Sequence, residues 1–378
     1  MTLSRLTAVL LALLTLAACR QEELIPLPET EITPTPTING VDGFYLLNEG
    51  NMGSNKSTLD YWDGTTGEYR RNIFAAANPT VPKELGDVGN DLAIYGSRLY
   101  AVINCSNKVE IMDAATTRKL GQVNIPNCRC MAFDGPYMYV TSYAGPVRID
   151  PDYKQIGYVA KVDTATMAVV DTVHVGYQPD GIAIVKGKAY VANSGGYMVP
   201  NYENTVSVID LATMRVVDTI EIAINLHQIV ADRSGRLWIS SRGDYYDTEA
   251  RLFCYDPAGG RVLAEMELSV GSMWLDGSRL YVVATQWSYV SMDREASYAV
   301  IDTDTQTILT RNFITDGSEA KIRIPYGVAV NPVTKDIYVT DALNYVNPGN
   351  LHCYTPDGKL QWTVRTGDIP AHFAFRTR

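Results

Sequence analysis

The stretch Gln178–Ile222, QPDGIAIVKGKAYVANSGGYMVPNYENTVSVIDLATMRVVDTIEI, decides the fold. It holds four short apolar runs, Gly181–Val185, Ala189–Ala192, Thr205–Asp210 and Val216–Ile222, separated by turn residues such as Lys186-Gly187 and Asn193-Ser194-Gly195-Gly196. β-Branched runs bounded by Gly and Asn read as strands. One antiparallel sheet of four such strands cannot bury both of its faces, so copies of the unit are required.

The copies exist. The opening pattern Ile182-Ala183-Ile184 recurs as Leu92-Ala93-Ile94, Met131-Ala132-Phe133, Ile229-Val230-Ala231, Met273-Trp274-Leu275, Val328-Ala329-Val330 and Phe373-Ala374-Phe375. An aromatic-aliphatic run follows most openers (Leu99-Tyr100-Ala101, Tyr139-Val140, Leu237-Trp238-Ile239, Tyr281-Val282, Tyr338-Val339), then a run ending in Asp, such as Val206–Asp210 or Val109–Asp113. Self-similarity at roughly 40–50 residues with four strands per unit is the signature of a β-propeller. The last opener has no strands after it, while Phe44–Leu47, Thr58–Asp63 and Glu68–Phe74 form three strands with no opener. The expected fold is therefore all-β. It is a seven-bladed propeller of four-stranded antiparallel blades over residues 41–378, closed by the C-terminal strand pairing into the first blade.

Ahead of this domain, Arg5 precedes the apolar stretch Leu6–Leu16 and the small residues Ala17-Ala18. A short apolar run behind a basic residue reads as a secretory leader over 1–18, too short to span a bilayer. The Leu-Ala-Ala-Cys ending resembles the bacterial lipoprotein box, which implies cleavage before Cys19 and lipidation of its thiol. An ordinary secretory leader is the alternative. Residues 19–40, rich in Pro, Thr and Glu, read as a semi-extended tether. The acidic cluster Glu22-Glu23 behind Cys19 resembles the surface-export signal of Bacteroidetes lipoproteins. The expected place is the outer membrane, lipid-anchored and facing the cell surface.

The chain has 378 residues, 20% charged, with a formal net charge of −10. An acidic surface argues against nucleic acid as a partner and against an anionic membrane surface. Membrane contact is expected through the lipid anchor alone. An exported protein permits disulfides, and Cys105 lies on the same expected rim as Cys128 and Cys130, so a bridge from Cys105 to either is expected. Cys254 and Cys353, in equivalent strands of separate blades, read as buried thiols. With four His and no paired ligand spacing, no metal is expected, and no cofactor is required.

Loops between second and third strands are long: Glu49–Ser57, Ser142–Gly157, Asn193–Asn204, Ser241–Ala250, Thr285–Ser297 and Asp341–Asn350. Blade topology puts them on one face, where binding usually sits. They carry Asn48, Glu49, Tyr143, Asn193, Tyr197, Arg242, Tyr245, Gln286, Trp287, Asp341 and Tyr345, aromatic area interleaved with hydrogen-bonding groups. Residues leading into each opener should face the central channel: Asn90, Asp91, Arg129, Asp180, His227, Gln228, Ser272, Tyr326 and His372. That mixed set suits a neutral polar ligand. There is no Gly-x-Ser-x-Gly elbow and no phosphate loop. An acid pair among Glu49, Asp91 and Asp180 would be the one route to a lyase or glycosidase, so no catalytic residue is assigned.

Tyr190-Val191-Ala192-Asn193, with Asn204–Asp210 and Val216–Ile220, resembles the YVTN repeat of YncE-like seven-bladed propellers, a likeness specific for fold. The stretch Phe44–Asn55, FYLLNEGNMGSN, with Leu59–Asp63, resembles the start of Bacteroidetes surface propellers. That group includes the cobalamin-binding lipoproteins of the BtuG type, which work beside a TonB-dependent outer-membrane transporter. The likeness implies capture of a corrinoid on the long-loop face and delivery to such a transporter. An adhesin or assembly scaffold that binds protein or glycan through that face is the alternative.

Overall fold

The computed structural model describes residues 29–34, 40–81, 84–288 and 293–377, and of residues 286–288 and 293–295 the backbone alone. The leader, Cys19 and most of the tether lie outside the described residues. Among the described residues, no helix is long and apolar enough to cross a membrane.

Seven sheets form the ring. The first holds β1 (Thr30–Ile32), β2 (Val41–Asn48), β3 (Thr58–Asp63) and β4 (Glu68–Arg70), followed by the short helix α1 (Ile73–Ala77). Blade 2 has β5 (Gly89–Tyr95), β6 (Arg98–Ile103), β7 (Lys108–Asp113) and β8 (Lys119–Asn124). Blade 3 has β9 (Cys128–Asp134), β10 (Tyr137–Ser142), β11 (Tyr158–Asp163) and β12 (Ala168–His174). Blade 4 has β13 (Pro179–Val185), β14 (Lys188–Asn193), β15 (Thr205–Asp210) and β16 (Arg215–Glu221). Blade 5 has β17 (Leu226–Ala231), β18 (Leu237–Ser241), β19 (Arg251–Asp256) and β20 (Arg261–Met266). Blade 6 has β21 (Ser272–Asp276), β22 (Arg279–Ser288), β23 (Asp293–Asp302) and β24 (Thr307–Thr310). Blade 7 has β25 (Pro325–Val330), β26 (Ile337–Asp341), β27 (Pro348–Tyr354) and β28 (Leu360–Asp368), and the chain ends with β29 (Pro370–Thr377).

The ring closes as the repeat pattern predicts: β29 pairs with β2 from Val41↔Thr377 to Asn48↔Pro370. Phe44 then packs on Trp62, Phe373 and Tyr338 at centroid distances of 5.3, 5.6 and 4.7 Å, fastening blade 1 to blade 7. Second and third strands are sealed between neighbouring blades, whereas the outer β12 and β16 are mostly exposed. The Asp ending six of the seven third strands has a local task. Asp163 Oδ1 accepts the N–H groups of Ala165 and Thr166, and Asp302 Oδ1 those of Asp304 and Thr305, setting the turn into the fourth strand. Asp302-Thr303-Asp304 is thus the end of a third strand and the turn that follows it.

Three local expectations are corrected. Residues 30–32 do not belong to a free tether. They form β1, a fifth strand on blade 1 that pairs with β4. Behind it Thr33 is buried, its hydroxyl donating to Gly67 O and accepting Trp62 Nε1–H at 2.8 Å, which gives a sealed indole its partner. The expected strand Glu68–Phe74 stops at Arg70, because Asn72 turns left-handed (φ 46°) and the alanine-rich Ile73–Ala77 coils into α1. Finally, Thr285–Ser297 is no open loop, since β22 and β23 extend through it as a ladder reaching Ser288↔Asp293.

Candidate functional site

The innermost strands share an irregularity near their starts. In six blades the pairing with the second strand slips there, between Gly89 and Asp91, Cys128 and Met131, Pro179 and Ile182, Leu226 and Ile229, Pro325 and Val328, and Pro370 and His372. Only β21 runs into blade 6 without a slip. A bulge leaves residues unpaired and re-aims their side chains. The residues released are Asn90, Arg129-Cys130, Asp180-Gly181, His227-Gln228, Tyr326-Gly327 and Ala371, at one end of the propeller axis. Gly181 and Gly327 are required there: a Cβ would lie 2.6 Å from His227 O and 2.2 Å from Ala371 O of the next blade.

Second-strand hydroxyls satisfy the freed backbone. Thr141 Oγ1 accepts Cys130 N–H and donates to Asp180 O, and Thr340 Oγ1 accepts Gly327 N–H and donates to Pro370 O. Ser240 Oγ accepts Gln228 N–H in the same way. These three N–H groups near the axis therefore have partners.

The expected site residues separate into two kinds. Some hold the ring together. Asp91 accepts Met131 N–H at 2.8 Å and Gln228 Oε1 accepts Met273 N–H at 3.0 Å, while Ser272 Oγ accepts Val328 N–H at 3.4 Å, each linking to the next blade. Asn48, Asn193 and Asp341 are buried and hold loop bases. Asn193 Nδ2 donates to Thr205 and Ser207, Asp341 accepts the N–H groups of Ile324, Arg323 and Leu343, and Asn48 Nδ2 donates to Thr58. Gln286 and Trp287 fall on β22, their side chains outside the described residues.

The others converge. Asp180, 1% exposed, is the hub of a cluster drawn from blades 3, 4 and 5. Its Oδ1 accepts Arg129 Nε–H at 3.0 Å and the Tyr143 hydroxyl at 2.7 Å, and its Oδ2 accepts Arg242 Nη1–H at 3.2 Å. Arg129 also donates Nη1–H to Asn90 Oδ1 at 3.0 Å, and its guanidinium lies 4.9 Å from the Tyr143 ring centre. Burial works to raise the Asp180 carboxyl, but the Arg129 and Arg242 charges outweigh it and lower it to about 2. Burial, with Arg242 next in effect, lowers the His227 imidazole to about 3, so that ring is neutral at pH 7. Its Nδ1 is buried with no partner among the described residues.

A second group comes from blades 1 and 7. Glu49 accepts the Tyr326 hydroxyl at 2.8 Å and meets His372 Nε2 at 3.1 Å, and Tyr345 packs edge-on to Tyr326 at 5.8 Å. Around the rim, loops support one another: Asp150 N–H donates to Tyr197 O, Asn201 Nδ2 to Pro151 O, and Asn51 Nδ2 to Tyr345 O. Tyr197 meets Tyr143 edge-on at 6.4 Å, and Tyr245 and Tyr246 stand open to solvent at 53% and 76% exposure. A cleft of about 550 Å³ lies within the blade 3 loop between Pro146 and Gln155 and does not include the axial cluster.

The expected disulfide from Cys105 is not formed: all three thiols are free. Cys128 turns into the core, its Sγ 3.4 Å from Lys108 O, while Cys105 is exposed with Sγ 3.3 Å from Asn104 Oδ1. Cys130 sits in the bulge beside Arg129, and burial, then Asp91, pushes its thiol well above the usual range. Its axial place was missed, although the alignment that marked Arg129 carries it. Among the described residues, no group of three His, Cys, Asp or Glu could hold a metal ion.

Comparison with solved structures places the fold among propellers. Hydrazine synthase of Kuenenia stuttgartiensis aligns with a TM-score of 0.57 at 19% identity, covering 71% of this chain and 77% of that one. The WD40 domain of Neurospora crassa Pan2 aligns at 0.53 and 9% identity, covering 72% and 78%. At such identities the likeness shows the fold alone. No curated protein matches the sequence. A family model described as "Domain of unknown function (DUF5074)" matches residues 42–348.

Proposed function

Since the chain belongs to that family, we propose that it captures a small to medium ligand on the long-loop face, at the axial mouth ringed by the bulge residues. What carries the reading is the convergence of Asn90, Arg129, Asp180 and His227 through one repeated bulge, beneath a rim of tyrosines. Polar side chains released from sheet pairing and aimed at one mouth favour a ligand with many hydrogen-bonding groups.

A corrinoid is the favoured ligand. It is broad and ringed by amides, which suits a wide mouth of tyrosines and polar bulge residues such as Asn90 and His227, and the resemblance of Phe44–Asn55 to corrinoid-capturing surface propellers points the same way. In this reading the protein is a lipoprotein anchored through Cys19 on the outer membrane, at the cell surface, and hands its ligand to a TonB-dependent transporter. It performs no chemistry. The exposed Tyr245-Tyr246 pair favours a second reading, an adhesin or scaffold that binds protein or glycan through that rim.

Incubation of the purified protein with cyanocobalamin separates the two. A red complex that co-elutes in gel filtration, with a saturable heat of binding at micromolar ligand, is the expected result. Colourless protein and no heat would remove the corrinoid reading and leave the macromolecular one.

A further inference from the structure

Arg242 holds more hydrogen-bonding capacity than the fold uses. Among the described residues its side chain meets one hydrogen-bond partner, Asp180 Oδ2, through Nη1. The side chain is 29% exposed and its remaining N–H groups reach solvent, so they are open to an incoming ligand. Arg129 differs. It spends Nε on Asp180 and Nη1 on Asn90, and lies over the Tyr143 ring.

Charge adds a second, independent observation. Two guanidiniums share one carboxylate, and His227 beside them is neutral at pH 7. The two guanidiniums thus outnumber the one carboxylate they share, with the Asp91 and Glu49 carboxyls further round the mouth, in a chain whose net charge is −10. Purely structural ion clusters tend towards neutrality, because uncompensated buried charge is penalised. A fold this acidic would repel an anion at long range, so an anionic group needs such a local positive spot to be held.

We propose that Arg242, supported by Arg129, forms an oxyanion subsite that takes a phosphate or carboxylate group of the captured ligand. The inference rests on the capture reading and narrows it to ligands bearing at least one anionic oxygen group, where the residue set alone had suggested a neutral one. A guanidinium offers parallel N–H donors that match two oxygens of either group. Asp180 and Arg129 position Arg242, and Arg242 makes the contact.

The test titrates the full mature chain at pH 7 with sodium phosphate and, separately, sodium acetate, with ionic strength held constant by sodium chloride. Thermal midpoint and calorimetric heat are the readouts. At least one anion should stabilise the wild type saturably, and the stronger arm identifies the class. Arg242→Gln should weaken that response at least tenfold, and Arg242→Lys, which keeps the charge, should retain part of it. If Arg242→Gln does not fold, a response of Arg242→Lys equal to wild type overturns the proposal and a weakened one supports it. No saturable response in the wild type, or an equal one in Arg242→Gln, overturns it. Cyanocobalamin binding is read on the same samples. A phosphate response without corrinoid binding supports the subsite and removes the corrinoid. Corrinoid binding unchanged in Arg242→Gln, without any anion response, does the reverse.

Discussion

Asp60 and Asp180 are both sealed from water, at 0% and 1% exposure, yet the fold treats them in opposite ways. Asp60 lies at the junction of blades 1 and 7 among neutral donors, the Tyr69 hydroxyl at 2.8 Å and the N–H groups of Asn72 and Gly367 at 2.9 and 3.3 Å. Burial raises its carboxyl above the usual range against the pull of those bonds. Asp180, at the axial mouth, has two guanidiniums and is lowered to about 2, although burial acts on it too. Neutral donors suffice where the task is to hold strands together. Fixed charge is kept where side chains converge on the axis.

The sharpest way to break this contrast is Asp180→Asn. It leaves two partly buried guanidiniums without a counter-charge and should cost about 3 kcal/mol, measured by urea unfolding at pH 7. Asp60→Asn keeps the shape and loses part of a neutral network, so about 1–2 kcal/mol is expected. Equal costs would dissolve the distinction.

The two variants should also bend the pH profile in opposite directions. A lowered carboxyl stabilises fully above the ordinary carboxylate pKa of about 4, and that contribution fades as pH falls towards about 2. A raised carboxyl does the reverse, and its contribution is lost as pH climbs through the folded-state value. Denaturation midpoints between pH 2 and 8 should therefore lose part of their acid limb in Asp180→Asn, and part of any decline above pH 4 in Asp60→Asn. The smallest expected effect is at the edge of blade 1. Thr33→Val strands the Trp62 indole N–H and should lower stability by about 1 kcal/mol, leaving ligand binding unchanged.

The sequence made the ring readable because each blade repeats one apolar rhythm, and because the lone opener Phe373-Ala374-Phe375 matched an opener missing from blade 1. It also marked Arg129, Asp180 and Arg242 individually. Their union was hidden, since the partners stand 51 and 62 residues apart on different blades. The bulges were hidden too: a register slip depends on the neighbouring strand and on Gly181 or Gly327 admitting the next blade's backbone, which no local pattern states. The β1 strand was lost to composition. Pro and Thr read as tether, and only the buried indole of Trp62, in need of an acceptor, hinted at a partner.

Strands β1 and β29 occupy opposite margins of one five-stranded sheet, four strand spacings or about 19 Å apart. A load applied between residues 30 and 377 would act first on that sheet, crossing ladder bonds that peel one after another. Mechanically the molecule is a bracelet with a single clasp, and a dye pair on its two margins would report the clasp opening before any other blade unravels.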